Sequence, residues 1–423
     1  MQTEVRETSY RWIILLLYSL SLGSNAMMWI TASPITSVIA KTYGVADIWV
    51  EMCSLVYMIF YIPVVFPSNY VLDKFGLRAG VIIGIGTTAI GSWIRLGAYF
   101  DFWFILAGSC LGAIGQPFLM NAPAKLAATW FRPEMRTMAT TVGTMSNPLG
   151  VAIGFVLPAI IVTASKSKSQ IILLMFVEAI ICSIVFILVI IMFKNLPKYP
   201  PSLSASQTRE EFMPALKAVF RNKSFLLLLL AFSMGQGALN ALATLIDLIS
   251  KPYGFSTFDN SIFGGLLIIC GLVGAGIVGT IVTITHKYKI TCIVMCLGTL
   301  VTFFGFIFTL EFKSLIISSV TVGLLGLLLT PILPISYEFG IELTYPVGEA
   351  MTGGILNSGG QIIGISEVGL AYLLANQPVI ICIICAAGVG LGAFALIFVK
   401  EELQRAGVDN SASANFISLK EAD

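Results

Sequence analysis

Apolar residues recur along this chain in continuous runs, each roughly 20 to 27 residues long, enough for a tilted helix across a ~30 Å hydrocarbon layer. Twelve such runs are read, at 12–39, 48–72, 77–98, 102–129, 138–162, 170–193, 224–250, 261–285, 290–310, 315–339, 348–374 and 378–399. Their continuity predicts helices, because lipid forces backbone groups to pair within each segment, whereas a barrel strand alternates apolar and polar positions. The runs are not uniform. An indole, Trp29, and neutral amides at Asn25, Gln116, Asn147, Gln236, Asn240, Asn357 and Gln361 interrupt them near mid-depth.

Composition fixes the class. The chain is 57% hydrophobic and 11% charged with a mean hydropathy of +0.93, outside the range of soluble globular domains. The first run is preceded by Glu4, Arg6 and Glu7 and lacks a small-residue cleavage site, so it is expected to be retained and not cleaved as a signal peptide. Basic residues then orient the chain. With both termini cytoplasmic, the inner loops hold Lys74, Arg78, Arg132, Arg136, Arg221 and Lys223 among others, against Lys41, Lys166, Lys168, Lys251 and Lys313 outside. The formal net charge of +2 follows from this bias and implies no nucleic-acid partner. The expected partners are the lipid bilayer and a small-molecule substrate, with the protein a monomer in the plasma membrane; an endolysosomal membrane is the alternative.

The longest polar interruption, with Pro197, Pro200, Pro201 and the Glu210–Glu211 pair, divides the runs six and six. The expected organisation is a bundle at 1–193, a cytoplasmic linker at 194–223, a second bundle at 224–400 and a cytoplasmic tail at 401–423. Two six-helix bundles joined in this way are the arrangement of the major facilitator fold, an all-α membrane architecture whose site lies at the midplane between the halves. The loop after the second run reads N-Y-V-L-D-K-F-G-L-R and resembles the major facilitator loop signature, with Asn69 in place of its first glycine and Arg78 as the later basic residue. Asp73, Lys74 and Arg78 are thereby gate-latch candidates, or simple anchors at helix ends.

A buried amide costs free energy unless paired, so amides recurring at one depth on several spans read as the lining of a partly wet cavity. Counting along each run places Trp29, Gln116, Asn147, Asn240 and Gln361 near one level. Four-residue steps link Asn25 to Trp29, Asn357 to Gln361, and Phe232 to Gln236 and Asn240, so each set shares a helix face. The alternative is that the amides tie helices together.

Several stretches carry a closer resemblance: V-Y-M-I-F-Y-I-P-V-V-F-P at 56–67, G-S-W-I-R at 91–95, and E-F-G-I-E-L-T-Y-P-V-G-E at 338–349 followed by G-G-I-L-N-S-G-G-Q. They are similar to the feline leukaemia virus subgroup C receptor family of transporters. That family includes facilitative choline and ethanolamine carriers, members long proposed to move haem, and a lysosomal branch associated with vitamin B6. The resemblance implies a choline site at Trp29, Gln116, Asn147 and Gln361. It also implies a departure, since Asn240 stands where the choline carriers place a second aromatic wall, and Asp247 where an asparagine is expected.

A quaternary ammonium is held by aromatic faces, each desolvated contact contributing about 1–2 kcal/mol, whereas an amide suits a hydroxyl, a primary amine or a neutral heterocycle. Choline or ethanolamine is the first expectation, carried by facilitated diffusion through alternating access. Haem or a vitamin B6-like heterocycle is the alternative, as is a receptor that binds without transport. The one histidine, His286, lies at a helix end beside Lys287, away from the amides, and offers the cavity no axial haem ligand; Met27, Met28 and Met120 could serve but read as packing. The eight cysteines lie in apolar runs and read as packing residues. No nucleophile–base pair, phosphate loop or metal constellation is found, so neither an enzyme nor a cofactor is expected. Asp247 is either a cation-attracting group at the outer vestibule or a charge at a helix end. Pro331 and Pro334 should kink the tenth run, making it and the glycine-rich eleventh the expected gating elements.

Overall fold

The computed structural model describes residues 8–162, 168–197, 217, 219–345, 347, 349–373 and 378–401. Among them, every regular element is helical. Span one runs Tyr10–Ile30, breaks, and continues through a 3₁₀ turn at Ser33–Ile35 into Thr36–Tyr43. Span two is Asp47–Lys74, span three Leu77–Arg95, span four Trp103–Met120, span five Pro133–Ile161 and span six Lys168–Met192. Span seven is Lys223–Ser250, span eight Thr257–Thr285 and span nine Tyr288–Glu311. Span ten is split into Leu315–Leu329 and Ile332–Thr344, followed by span eleven, Glu349–Leu373, and span twelve, Pro378–Ile397.

Eleven of these spans are long and apolar enough to cross a membrane on composition. The remaining one is span eleven, which has the length, at 25 residues, but carries Asn357, Gln361 and Glu367 along with its glycines. Its polarity is explained by what it packs on, since it lines the interior of the molecule.

Helix pairing repeats with a shift of six spans. Span one packs on five as seven packs on eleven, two on four as eight on ten, and three on six as nine on twelve. Across the halves, two meets eleven and five meets eight. These contacts are close. A Cβ at Gly150 of span five would fall 2.1 Å from the Gly23 carbonyl oxygen of span one, so this crossing requires glycine.

Breaks follow missing donors. Pro34 has no N–H for the Ile30 carbonyl, and span one breaks before it. Span ten breaks at Thr330–Pro331, where the kink was expected. The run at 102–129 is not one helix: span four stops at Met120, and Pro123 opens a separate helix, Pro123–Trp130. The gap holds a polar network, in which Tyr61 Oη donates to Asn121 Oδ1 at 2.9 Å and Asn121 Nδ2 donates to Asn69 Oδ1 at 3.0 Å. Asn69, which replaces a glycine of the loop signature, thus supports this break.

The two ends of the bundle differ. At the end bearing residues 10 and 400, Arg78 Nη2 donates to the Ile190 carbonyl at 3.0 Å and Arg78 N to Asn195 Oδ1 at 3.2 Å, binding the loop after span two to the end of span six. Lys74 is exposed and donates to Tyr70 Oη at 2.7 Å. Both contacts stay inside the first half. The Asp73 side chain, most of the 194–223 linker and the 402–423 tail lie outside the described residues.

At the far end the halves are bonded to each other. Ser33 Oγ shares its one proton between the Ala243 and Thr244 carbonyls, at 2.5 and 2.7 Å. Asp247 accepts from Ser37 N at 2.9 Å and from Asn260 Nδ2 at 2.6 Å, and an ion pair joins Lys251 to Asp47 at 3.1 Å. Asp247 is buried, and its carboxylate caps the amino end of Thr36–Tyr43, so it is a cross-half tie instead of a snorkelling charge.

Candidate functional site

Between the halves lies a cavity of about 40 Å³, lined by Trp29, Tyr57, Met58, Gln116, Met120, Asn147, Gln236, Asn240 and Gln361. At ~10–15 Å³ per water, this is room for a few waters or a compact solute. Spans one, two, four and five supply the wall from the first half, and spans seven and eleven the wall from the second.

In the first half, polar residues sit at helix discontinuities. Gln116 and Asn147 each precede a proline inside their helices, Pro117 and Pro148, where one backbone hydrogen bond is removed. Trp29 lies in the last turn before the span-one break. Its indole is fixed by a reciprocal pair of bonds to span two: Trp29 Nε1 donates to the Ser54 carbonyl at 3.1 Å, and Ser54 Oγ donates to the Trp29 carbonyl at 3.0 Å. With the N–H satisfied on backbone, the ring face is left for the cavity. One turn from Ser54, Tyr57 brings a second aromatic ring to the same wall; its buried hydroxyl packs at Gly112, where a Cβ would fall 2.4 Å away.

The second half contributes amides held by other amides. Asn240 Nδ2 donates to Gln361 Oε1 at 3.4 Å, and Gln236 Nε2 to Asn357 Oδ1 at 3.2 Å. Glycines make the close crossing possible. Gln236 lies between Gly235 and Gly237, and a Cβ at Gly360 of span eleven would fall 2.5 Å from Gln236 Oε1. Gln116 Oε1 and Gln236 Oε1 are buried with no hydrogen-bond partner among the described residues, so two of the amides that line the cavity carry unpaired acceptors.

Six of the nine expected binding residues, Trp29, Gln116, Asn147, Gln236, Asn240 and Gln361, meet on this cavity. Three do not line it. Asn25 is fully buried and ties spans one, three and four, donating to Thr88 Oγ1 at 2.8 Å and to the Gly112 carbonyl at 2.9 Å. Phe232 packs edge-to-face on Tyr337 at 5.0 Å in a separate apolar cluster. Asn357 stands behind the wall as the partner of Gln236. Conversely, Tyr57 and Met58 were not expected, and Met120, read from the sequence as packing, also lines the cavity. The signal for Tyr57 was available, since it falls in the V-Y-M stretch one turn from Ser54, but an aromatic in an apolar run reads as packing until its azimuth is known.

Comparison with known proteins agrees with this architecture. The family model for the Major Facilitator Superfamily matches residues 18–366. The chain is 30% identical to the choline/ethanolamine transporter FLVCR2 of Rattus norvegicus, over 96% of this chain and 78% of that protein. It is 29% identical to the choline/ethanolamine transporter FLVCR1 of Felis catus, over 94% of this chain and 74% of that one. Among solved structures, the D-xylose-proton symporter superposes with a TM-score of 0.72 over 93% of this chain and 99% of its own, at 14% identity, a likeness of fold alone. Twelve spans among the described residues, paired in two sets of six around a shared cavity, a family match across most of the chain and similarity to named relatives over 94–96% of it place this protein in the Major Facilitator Superfamily and, within it, in the feline leukaemia virus subgroup C receptor family of membrane transporters.

Proposed function

We propose that this transporter carries choline and ethanolamine by facilitated diffusion, binding the ammonium end against Trp29 and Tyr57 and the hydroxyl end against the amides of spans seven and eleven. The observation that carries this reading is the pairing, in one small cavity, of two aromatic rings with amides that include unpaired acceptors. A quaternary ammonium needs aromatic faces, at about 1–2 kcal/mol for each desolvated contact, and gains nothing from extra donors. A hydroxyl or a primary ammonium uses the amides. Asn240 in place of an aromatic lowers the advantage of choline, and Tyr57 supplies part of what is lost. The names of the relatives support this substrate pair, both being called choline/ethanolamine transporters.

The plasma membrane with both termini cytoplasmic remains the proposed placement, supported by the basic residues at the end bearing the termini. Bonds between the halves at the opposite, outer end describe a closed outer gate in a rocking cycle. Lys74 and Arg78 are assigned to supporting the first half at its inner face.

Uptake of labelled choline and ethanolamine into vesicles holding the purified protein, driven only by solute gradient or membrane potential, tests the proposal. Saturable uptake of both solutes, with counterflow, is expected. Binding without counterflow identifies a receptor, and uptake of neither solute refutes the substrate assignment.

A further inference from the structure

The site leaves unused the one fully buried ion pair among the described residues. Arg95, at the end of span three, and Glu178, in span six, have fully buried side chains, with Arg95 Nη1 donating to Glu178 Oε2 at 2.9 Å. The same nitrogen donates to the Met28 carbonyl at 3.1 Å. Met28 precedes Trp29 in the last turn of Tyr10–Ile30, where helix carbonyls lack intrahelical partners. Ser54 takes the Trp29 carbonyl and Arg95 takes that of Met28. A cation at the carbonyl end of a helix is also favourably placed against its dipole.

The pair is poorly built for stability alone. Arg95 Nε and Nη2 and Glu178 Oε1 are buried with no hydrogen-bond partner among the described residues, and an ion pair satisfied so incompletely is often no better than apolar residues of the same volume. What is well made is its grip on the span-one break. The Arg95 stem crosses span four at Gly108, where a Cβ would fall 2.6 Å from its Cγ. One turn along, Gly112 admits the Tyr57 hydroxyl and the Met28 methyl, at 2.4 and 3.2 Å from the same construction. Arg95, Met28 and the hydroxyl end of Tyr57 thus meet along one face of span four.

We infer that Arg95, held in place by Glu178, is a positioning residue for transport: by holding the Met28 carbonyl it fixes the broken turn of span one, and with it the height and plane of the Trp29 indole. This inference rests on the reading of Trp29 as a solute wall. Glu178 neutralises the guanidinium, so that a cationic solute meets no net charge behind the ring.

The test uses the full-length protein in vesicles, with whichever of labelled choline and ethanolamine the wild type carries faster. The variants are Arg95→Lys, Arg95→Met/Glu178→Leu, Trp29→Ala and the triple combination. The apolar double variant should fold at least as well as wild type, which guards against collapse of either single change. Its KM should rise about tenfold, the ~1.4 kcal/mol worth of one misplaced aromatic contact, with Vmax within about twofold. Arg95→Lys should recover most of the loss by placing its ammonium on the same carbonyl. Adding the pair replacement to Trp29→Ala should raise KM no further, because both act on one contact. A wild-type KM in the double variant overturns the inference while leaving the site intact, as does a further rise in the triple variant. A wild-type KM in Trp29→Ala overturns the site reading and this inference together.

Discussion

The two walls of the cavity are built by different means. In the first half, prolines and a helix break set the wall: Gln116 and Asn147 precede Pro117 and Pro148, and Trp29 is bonded to span-two backbone at 3.0 and 3.1 Å. In the second, glycines set it, and its amides hold one another through side chains at 3.2 and 3.4 Å, at or beyond the long edge of N–H···O geometry. A wall anchored on backbone stays in place, whereas one made of amide pairs can exchange its partners for those of a solute. On the proposed binding mode, the first half selects the cationic end, and the second accommodates the polar end and moves.

The harshest way to break this contrast is to remove the rigid wall. Trp29→Ala is expected to lose both the indole face and the tie to Ser54, reducing the uptake rate at low solute concentration by roughly 30-fold or more, about 2 kcal/mol, for both solutes. A loss below threefold in vesicle uptake would remove the rigid wall from the account. Next in size is the adaptable wall. Gln361→Leu leaves Asn240 without its partner and should weaken ethanolamine by about tenfold but choline by less, since an unpaired buried amide costs ~1–3 kcal/mol and only the primary ammonium has N–H groups to donate to the Gln361 oxygen. Equal losses for the two solutes would argue that the second wall is not selective.

Asn240→Tyr converts the second wall toward the first. Choline should gain on ethanolamine by about three- to tenfold in competition, the worth of a partly exposed cation–π contact. A shift toward ethanolamine would contradict the division of labour. The smallest effect is expected at the rim, where the exposed Lys251–Asp47 pair joins the halves. Asp47→Asn should alter uptake by less than about threefold, because exposed ion pairs contribute ~0–1 kcal/mol.

Depth along the membrane normal was legible in the sequence, and azimuth around each helix was not. Length and hydropathy placed the spans, and Pro331 announced the break in span ten. The split of span four was missed because apolar residues continue through Pro123, and Asn121 shows its purpose only when Tyr61 and Asn69 meet it. The amides were found by counting from helix ends, which says how deep a residue lies but not what it faces. Asn25 and Trp29 share a helix side by spacing, yet neighbouring spans three and four close over Asn25 and leave Trp29 on the cavity. Tyr57 is the converse, an aromatic in an apolar run whose wall position depends on Gly112 of another span. Asp247 looked like a charge near a helix end, because its partners Ser37 and Asn260 are assembled only by tertiary packing.

Choline affinity of Trp29→Ala compared with Phe232→Leu, both measured by equilibrium binding on purified protein, tests the central claim most directly. Both positions carry aromatics near mid-depth, and only Trp29 lines the cavity, Phe232 packing instead on Tyr337. The account predicts a Kd at least about tenfold weaker for Trp29→Ala and within twofold of wild type for Phe232→Leu. Equal weakening in the two variants, or none in Trp29→Ala, would contradict it.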